Sequence, residues 1–230
     1  MERGMNERIR KLRKQSLETE PHIYMERADL ETDAYMMYEG SVSVPELRAL
    51  AFKHFMANKT LCINDGELIV GEKGDGPQAA PSFPELCCHT VEDMKIMNAR
   101  DLIYFRVTED DLKLQEEKII PFWEKRSVRH KILANMSQEW KDAYAAGIFT
   151  EFMEQRGPGH TVGSEKIYKK GFLDYKNDII EARNNLDFLN DKEALDKKAQ
   201  LNAMEICCDA IIILGERYAK YARELAEKET

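Results

Sequence analysis

The residues best placed to do chemistry lie in one run, Glu151-Phe152-Met153-Glu154-Gln155-Arg156-Gly157-Pro158-Gly159-His160-Thr161-Val162. Apolar and charged side chains interleave, and the pattern then breaks into Gly-Pro-Gly and delivers a histidine. Glycine on both sides of Pro158 lets the backbone reverse sharply and approach another group closely. His160 follows on a short tether, an arrangement that can point an imidazole into a pocket. There it donates or accepts a hydrogen bond according to its tautomer. The spacing leaves a second reading open, a surface loop whose histidine is inert, because Gly-Pro turns are common punctuation. Phe152 likewise reads as a pocket wall or as ordinary core packing.

Other clusters are weaker. Cys87-Cys88-His89 and Cys207-Cys208 place thiols side by side. Structural zinc sites use pairs separated by two to four residues, so that both sulfurs reach one tetrahedral ion. On a helix, neighbouring side chains such as Cys207 and Cys208 point about 100° apart. No metal is expected, and Cys207 reads as a small apolar filler. Five cysteines, an odd number, give no disulfide framework and fit a reducing compartment. The glycine-rich Gly71-Glu72-Lys73-Gly74-Asp75-Gly76 lacks the Lys-Ser/Thr ending of a phosphate-binding loop. No His-Glu-x-x-His or Gly-x-Ser-x-Gly motif occurs.

The whole chain narrows the partners. It has 230 residues, 33% of them charged, with a net charge of -8. Such a balance repels phosphate backbones and anionic lipid, so neither nucleic acid nor membrane is an expected partner. The basic opening, Arg3 through Lys14, sets Arg8, Arg10, Lys11, Arg13 and Lys14 around Ile9 and Leu12 and reads as the wet face of an amphipathic helix. No apolar run is long enough to span a bilayer, and the charged start carries no signal-peptide pattern. A cytoplasmic protein is the expectation.

Helices must position the candidate residues. The patterning predicts helices over 5–18, 25–38, and from a Ser43 cap with Pro45 in the first turn. Asn64-Asp65-Gly66 followed by Glu67-Leu68-Ile69-Val70-Gly71 predicts a turn and a short strand or hairpin. Residues 74–84 read as a loop. Further helices are expected at 91–101, 109–118, from Ile119 with Pro121 in the first turn, and at 127–134 and 137–146 with Ser127 and Ser137 as caps. Two more follow, at 170–189 and from an Asp191 cap to about 228. In the last, Met204, Cys207, Ile211, Leu214, Tyr218, Tyr221 and Leu225 form a heptad seam, expected to pack on one neighbour. Periodicity alone gives a mainly α body with one short β element.

The wording of the motifs says more. Glu26-Arg27-Ala28 with Thr32 and Tyr35, and the run from Asn64 to Gly71, resemble the amino-terminal signature of glycyl radical enzymes of the pyruvate formate-lyase-like group. Tyr38-Glu39-Gly40-Ser41-Val42, Pro84-Glu85-Leu86-Cys87-Cys88-His89-Thr90 and Ile119-Ile120-Pro121-Phe122-Trp123 continue in the same order. So do Phe149 to Arg156, Gly159-His160-Thr161-Val162 and Lys169 to Asp174. Within the group the strings are most similar to those of the trans-4-hydroxy-L-proline dehydratases, and the resemblance runs through the whole chain.

That resemblance implies a fold and a chemistry. The fold would be the amino-terminal helical part of an α/β barrel, with residues 1–230 as a portion of one pyruvate formate-lyase-like domain. The group holds a radical on a backbone glycine, installed by a separate S-adenosylmethionine-dependent iron–sulfur activase. The radical passes to a cysteine that takes hydrogen from the substrate, and hydroxyproline then loses water to give pyrroline-5-carboxylate. Phe152 would wall one side of the substrate ring, and His160 would hydrogen-bond the leaving hydroxyl or its neighbours. Members are several times longer and commonly dimeric. None of the five cysteines here matches the radical-carrying one, and no glycyl radical loop is present. The chain alone is therefore expected to supply pocket walls without radical chemistry, whether as a truncated form or as a subunit that binds the remaining barrel. A sister lyase acting on another small substrate stays open. Cut free, the seam and the Ile119–Trp123 face would be exposed and prone to self-association.

Overall fold

The computed structural model describes residues 6–149 and 164–228. In chain order the first elements are α1 (Glu7–Glu18), β1 (His22–Tyr24), α2 (Glu26–Tyr38), α3 (Val44–Asn58) and β2 (Ala79–Pro81). Next come α4 (Val91–Ala99), α5 (Glu109–Leu114), a π-turn (Gln115–Ile119), α6 (Ile120–Trp123), α7 (Val128–Asn135) and α8 (Gln138–Ala145). A short 3₁₀ turn (Ser164–Tyr168), α9 (Phe172–Asn184) and α10 (Ala194–Lys228) complete the described chain. The mainly α expectation holds. The described residues divide into two compact units, one built on residues 6–29, 64–68 and 72–149, the other on 30–63, 69–71 and 164–228.

In the first unit, α1 starts from the Asn6 side chain, which accepts from the Ile9 amide at 2.9 Å. Its basic face has a local purpose. Arg8 donates to the Gly66 carbonyl at 2.9 Å, Lys11 pairs with Asp65, and Gln15 reaches Asn64. Asn64-Asp65-Gly66 is thus the expected turn, with Gly66 at φ +83. The strand expected after it does not form. The Asn64 amide and side chain both bond Glu67, a local closure that competes with a ladder, and Leu68 and Ile69 are left exposed.

The strands lie elsewhere. β1 pairs with β2 in parallel, with His22 opposite Ala79, Ile23 opposite Ala80 and Tyr24 opposite Pro81. β2 falls inside the stretch read as loop, because Gly and Pro mask its short apolar pattern. Gly74 explains the glycine-rich run beside it. A Cβ there would sit 2.5 Å from the Ala79 Cβ and 3.2 Å from the Tyr24 ring. The glycine allows backbone to close on the sheet, so the run is structural.

Capping boxes at Thr90–Asp93 and Thr108–Asp111 start α4 and α5, and Ser127 and Ser137 cap α7 and α8 as expected. The exposed face expected around Ile119–Trp123 is corrected. Ile119 is 0% and Trp123 3% exposed, packed where the π-turn rotates the helix and Phe122 meets Trp123 edge-on at 5.0 Å. Large apolar side chains do stay exposed elsewhere, at Leu102, Ile103 and Leu189 among others.

In the second unit, α3 opens with a full Ser43–Glu46 capping box and Pro45 in its first turn. α10 packs along both α3 and α9, not on a single neighbour. That broadens and rotates its buried face. Ala203, Cys208, Ala210 and Tyr218 are buried, while Met204, placed on the seam by sequence, is 44% exposed. Small residues let two helices approach at once, which a strict seam of large side chains would prevent. Cys208, more than Cys207, is the apolar filler. α9 ends early because the Asp187 carboxylate accepts the amides of Leu189 and Asn190 in a tight turn. Asp191 accepts from the Glu193 amide just before α10 begins.

Candidate functional site

Phe152 and His160 lie outside the described residues. What the structure does show is the frame that carries the chain up to them. α8 ends in a Schellman motif. Gly147, at φ +71, donates its amide to the Tyr144 carbonyl, and the Ile148 amide bonds the Ala143 carbonyl, both at 3.0 Å. Glycine is needed there because the left-handed backbone strains other residues. The motif turns the chain back, so that Phe149 lies on the helix it has just left. Its ring meets Trp140 edge-on at 5.3 Å and Tyr144 at 5.7 Å. Glu139, Trp140, Ala143, Ile148 and Phe149 line a shallow apolar groove of about 260 Å³.

Arg129 on α7 ties this aromatic group to the rest of the unit. Its guanidinium donates to the Tyr144 hydroxyl at 2.6 Å and to the Cys87 sulfur at 3.1 Å. Burial opposes its charge, but the bonds to Cys87 and Tyr144 hold its pKa above the ordinary value. The Arg129 amide also bonds the Leu86 carbonyl, and Val128 bonds Glu85, both at 3.0 Å. Glu85 in turn takes a two-pronged bond from Arg27, at 2.6 and 3.1 Å, while Arg27 stacks 3.9 Å over Phe83. Two of the strings singled out by sequence, around Arg27 and around Cys87, are therefore physically joined.

The Cys87-Cys88-His89 run takes a structural part. Gln115, 1% exposed in the π-turn, donates to the His89 carbonyl at 2.6 Å and lies 3.9 Å from the Cys88 sulfur. Burial pushes the Cys88 thiol up to about 11, and burial also lowers the His89 pKa. Among the described residues no three of His, Cys, Asp and Glu come together to hold a metal ion. Sequence reasoning passed over Arg129, Tyr144 and Gln115. Only Gly147, a glycine closing a helical pattern, signalled the turn that seats Phe149.

The family model of pyruvate formate lyase-like proteins matches residues 5–230. The chain belongs to the pyruvate formate lyase-like family. It is 60% identical over 230 residues to trans-4-hydroxy-L-proline dehydratase of Clostridioides difficile, covering 100% of this chain and 29% of that protein. The crystal structure of that hydroxyproline dehydratase with trans-4-hydroxy-L-proline bound superposes with a TM-score of 0.92, again over 100% of this chain and 29% of that one. More distant family members are similar along the same region. Isethionate sulfite-lyase of Nitratidesulfovibrio vulgaris is 29% identical, over 99% of this chain and 29% of its own length. The glycerol-bound B12-independent glycerol dehydratase of Clostridium butyricum is 27% identical, with a TM-score of 0.85 over 99% of this chain and 29% of its own. The chain thus spans 29% of the length of these relatives and corresponds to the amino-terminal portion of the hydroxyproline dehydratase. The expected fold, the helical amino-terminal part of a glycyl radical enzyme, is borne out at this level.

Proposed function

We propose that this chain is the amino-terminal part of a glycyl radical dehydratase that eliminates water from trans-4-hydroxy-L-proline to give pyrroline-5-carboxylate. One observation carries the reading: identity is 60% to the hydroxyproline enzyme along the whole chain, against 29% and 27% for relatives with other substrates. Residues 1–230 form part of one pyruvate formate lyase-like domain. The glycyl radical, which the reading places outside this region, supplies hydrogen abstraction once a separate S-adenosylmethionine-dependent iron–sulfur activase has installed it. This region binds, orients and shields the substrate. Phe152 walls the ring and His160 hydrogen-bonds the leaving hydroxyl or its neighbours, in a pocket from which water is excluded. The working form is a cytoplasmic homo-oligomer.

His160→Ala and Phe152→Ala in the complete polypeptide test the assignment. Each is expected to lower kcat/KM for hydroxyproline at least about tenfold, the scale of one lost polar or packing contact in a reacting site. Unchanged kinetics in both would remove them from the pocket. The 230-residue chain alone is expected to be inactive after activase treatment, and turnover by it would show that the reacting groups have been misplaced.

A further inference from the structure

We infer that α9 is a strap held on α10 by charge, able to open on its own and uncover Cys208. All the groups involved lie in the second unit. The two helices meet through matching stripes. On α9 the stripe is Lys176, Ile179 and Arg183; on α10 it is Asn202, Glu205 and Asp209, with the same steps of three and then four residues. Lys176 reaches Asp209 at 2.7 Å and Glu205 at 3.7 Å. Arg183 donates to the Asn202 side chain at 2.9 Å and pairs with Glu205. Among the described residues of α9 only Ile179 is buried. Tyr175 works against docking, because its hydroxyl is buried with no hydrogen-bond partner among the described residues.

The other neighbour of α10 is held differently. α3 buries Leu47, Ala49 and Ala51, and Arg217 of α10 ties down its end through two carbonyls. Lys53 of α3 also reaches Asp209, at 3.3 Å, so that carboxylate keeps a partner when α9 leaves. An ion left without a partner makes opening costly, and here that cost is reduced. Salt separates the two attachments. The screening length falls from about 10 Å at 0.1 M to about 3 Å at 1 M, which weakens ion pairs and leaves apolar burial in place. Once undocked, a helix of 13 residues is marginal in water, so release of α9 shows as loss of its backbone bonds. Cys208 of α10 is 6% exposed. Burial raises its thiol pKa and the charge of Lys176 works against that rise, which sets the thiol beside α9.

Hydrogen exchange and thiol labelling of the complete polypeptide, both read peptide by peptide by mass spectrometry, decide this. Raising sodium chloride from about 0.05 to about 1 M should speed exchange of the amides of residues 179–184 about tenfold, while those of residues 52–58 in α3 move less than about twofold. Cys208 should alkylate with iodoacetamide about tenfold faster over the same range. Lys176→Gln keeps the stem and removes the charge. It should speed exchange of α9 at low salt by about the same factor and cut the salt response below about threefold. Ile179→Val removes packing and no charge, so it should speed exchange at both salt levels and keep the salt response. A response below about twofold in the parent, an equal response in α3, or Cys208 labelling that does not follow α9 would each overturn the inference. So would a full salt response in Lys176→Gln, or its loss in Ile179→Val.

Discussion

Arg217 gives the sharpest test of how the second unit holds together. It lies on α10 and reaches the carboxyl end of α3, donating to the Met56 carbonyl at 2.6 Å and the Lys59 carbonyl at 2.7 Å. The Met56 carbonyl is among the last of the helix, which have no partner within it, and Lys59 is the capping residue just beyond. A cation there also meets the negative end of the helix dipole. Arg217→Ala removes both bonds. Lys59 is only 4% exposed, so its carbonyl is poorly placed to find water instead. Charge-assisted bonds are worth about 1.5–3 kcal/mol each when desolvated. Arg217 is half-buried and the Met56 side is wetter, so the sum is discounted to about 3 kcal/mol. For a chain of this size that lowers Tm by roughly 6–12 °C. Circular dichroism melts of the 230-residue chain would measure it, with Arg217→Lys and Arg217→Met alongside. Lysine keeps the charge but cannot reach both carbonyls at once, and should recover at most about half of the loss. Methionine keeps the apolar stem and should recover little. A fall below about 2 °C for alanine, or full recovery by methionine, would refute the capping argument.

Three further outcomes follow from the same packing. Burial pushes the Asp209 carboxyl up, but hydrogen bonds from Lys176 (2.7 Å) and Lys53 (3.3 Å) outweigh it and hold its pKa below the usual aspartate value. Its contribution to stability is thus present above the unfolded value near ~3.9 and is lost as pH falls through the depressed folded value. Asp209→Asn should flatten the acid side of the Tm–pH curve below about pH 4, and identical slopes would contradict the pairing. Cys88, with its thiol pushed up to about 11, should alkylate with iodoacetamide at pH 8 roughly a hundredfold more slowly than a free thiol, as followed by mass spectrometry. Labelling at the free-thiol rate would show that the site opens. Ala210→Leu, at a fully buried position on α10, should cost about 1–3 kcal/mol by denaturant titration, whereas Ala219→Leu on the exposed side should stay within about 0.5 kcal/mol.

Helix starts were legible because their signals are local. Ser43 with Glu46, Thr90 with Asp93 and Thr108 with Asp111 each close a box within four residues of chain. The strands were not, since parallel pairing of His22–Tyr24 with Ala79–Pro81 joins segments far apart in sequence, each too short to show alternation. Periodicity placed Tyr218 on the buried face of α10 but put Met204 there too and missed the small residues beside the seam. It registers which side chains are apolar, whereas Ala203 and Ala210 are buried because they are small enough to sit between two helices. Cys87 and Arg27 stood out as motif wording, but their partners Arg129 and Glu85 were visible only in three dimensions. Phe152 and His160 were chosen from a turn and a resemblance, and the described frame reaches as far as Phe149.

Product formation decides whether this region belongs to a hydroxyproline dehydratase. The complete polypeptide carrying this region, activated anaerobically, would be offered trans-4-hydroxy-L-proline, glycerol and isethionate in parallel, with pyrroline-5-carboxylate, 3-hydroxypropanal and sulfite as the respective readouts. Pyrroline-5-carboxylate is expected from hydroxyproline, with negligible turnover of the other two. Turnover of glycerol or isethionate in preference to hydroxyproline, with the glycyl radical present by electron paramagnetic resonance, would contradict that expectation.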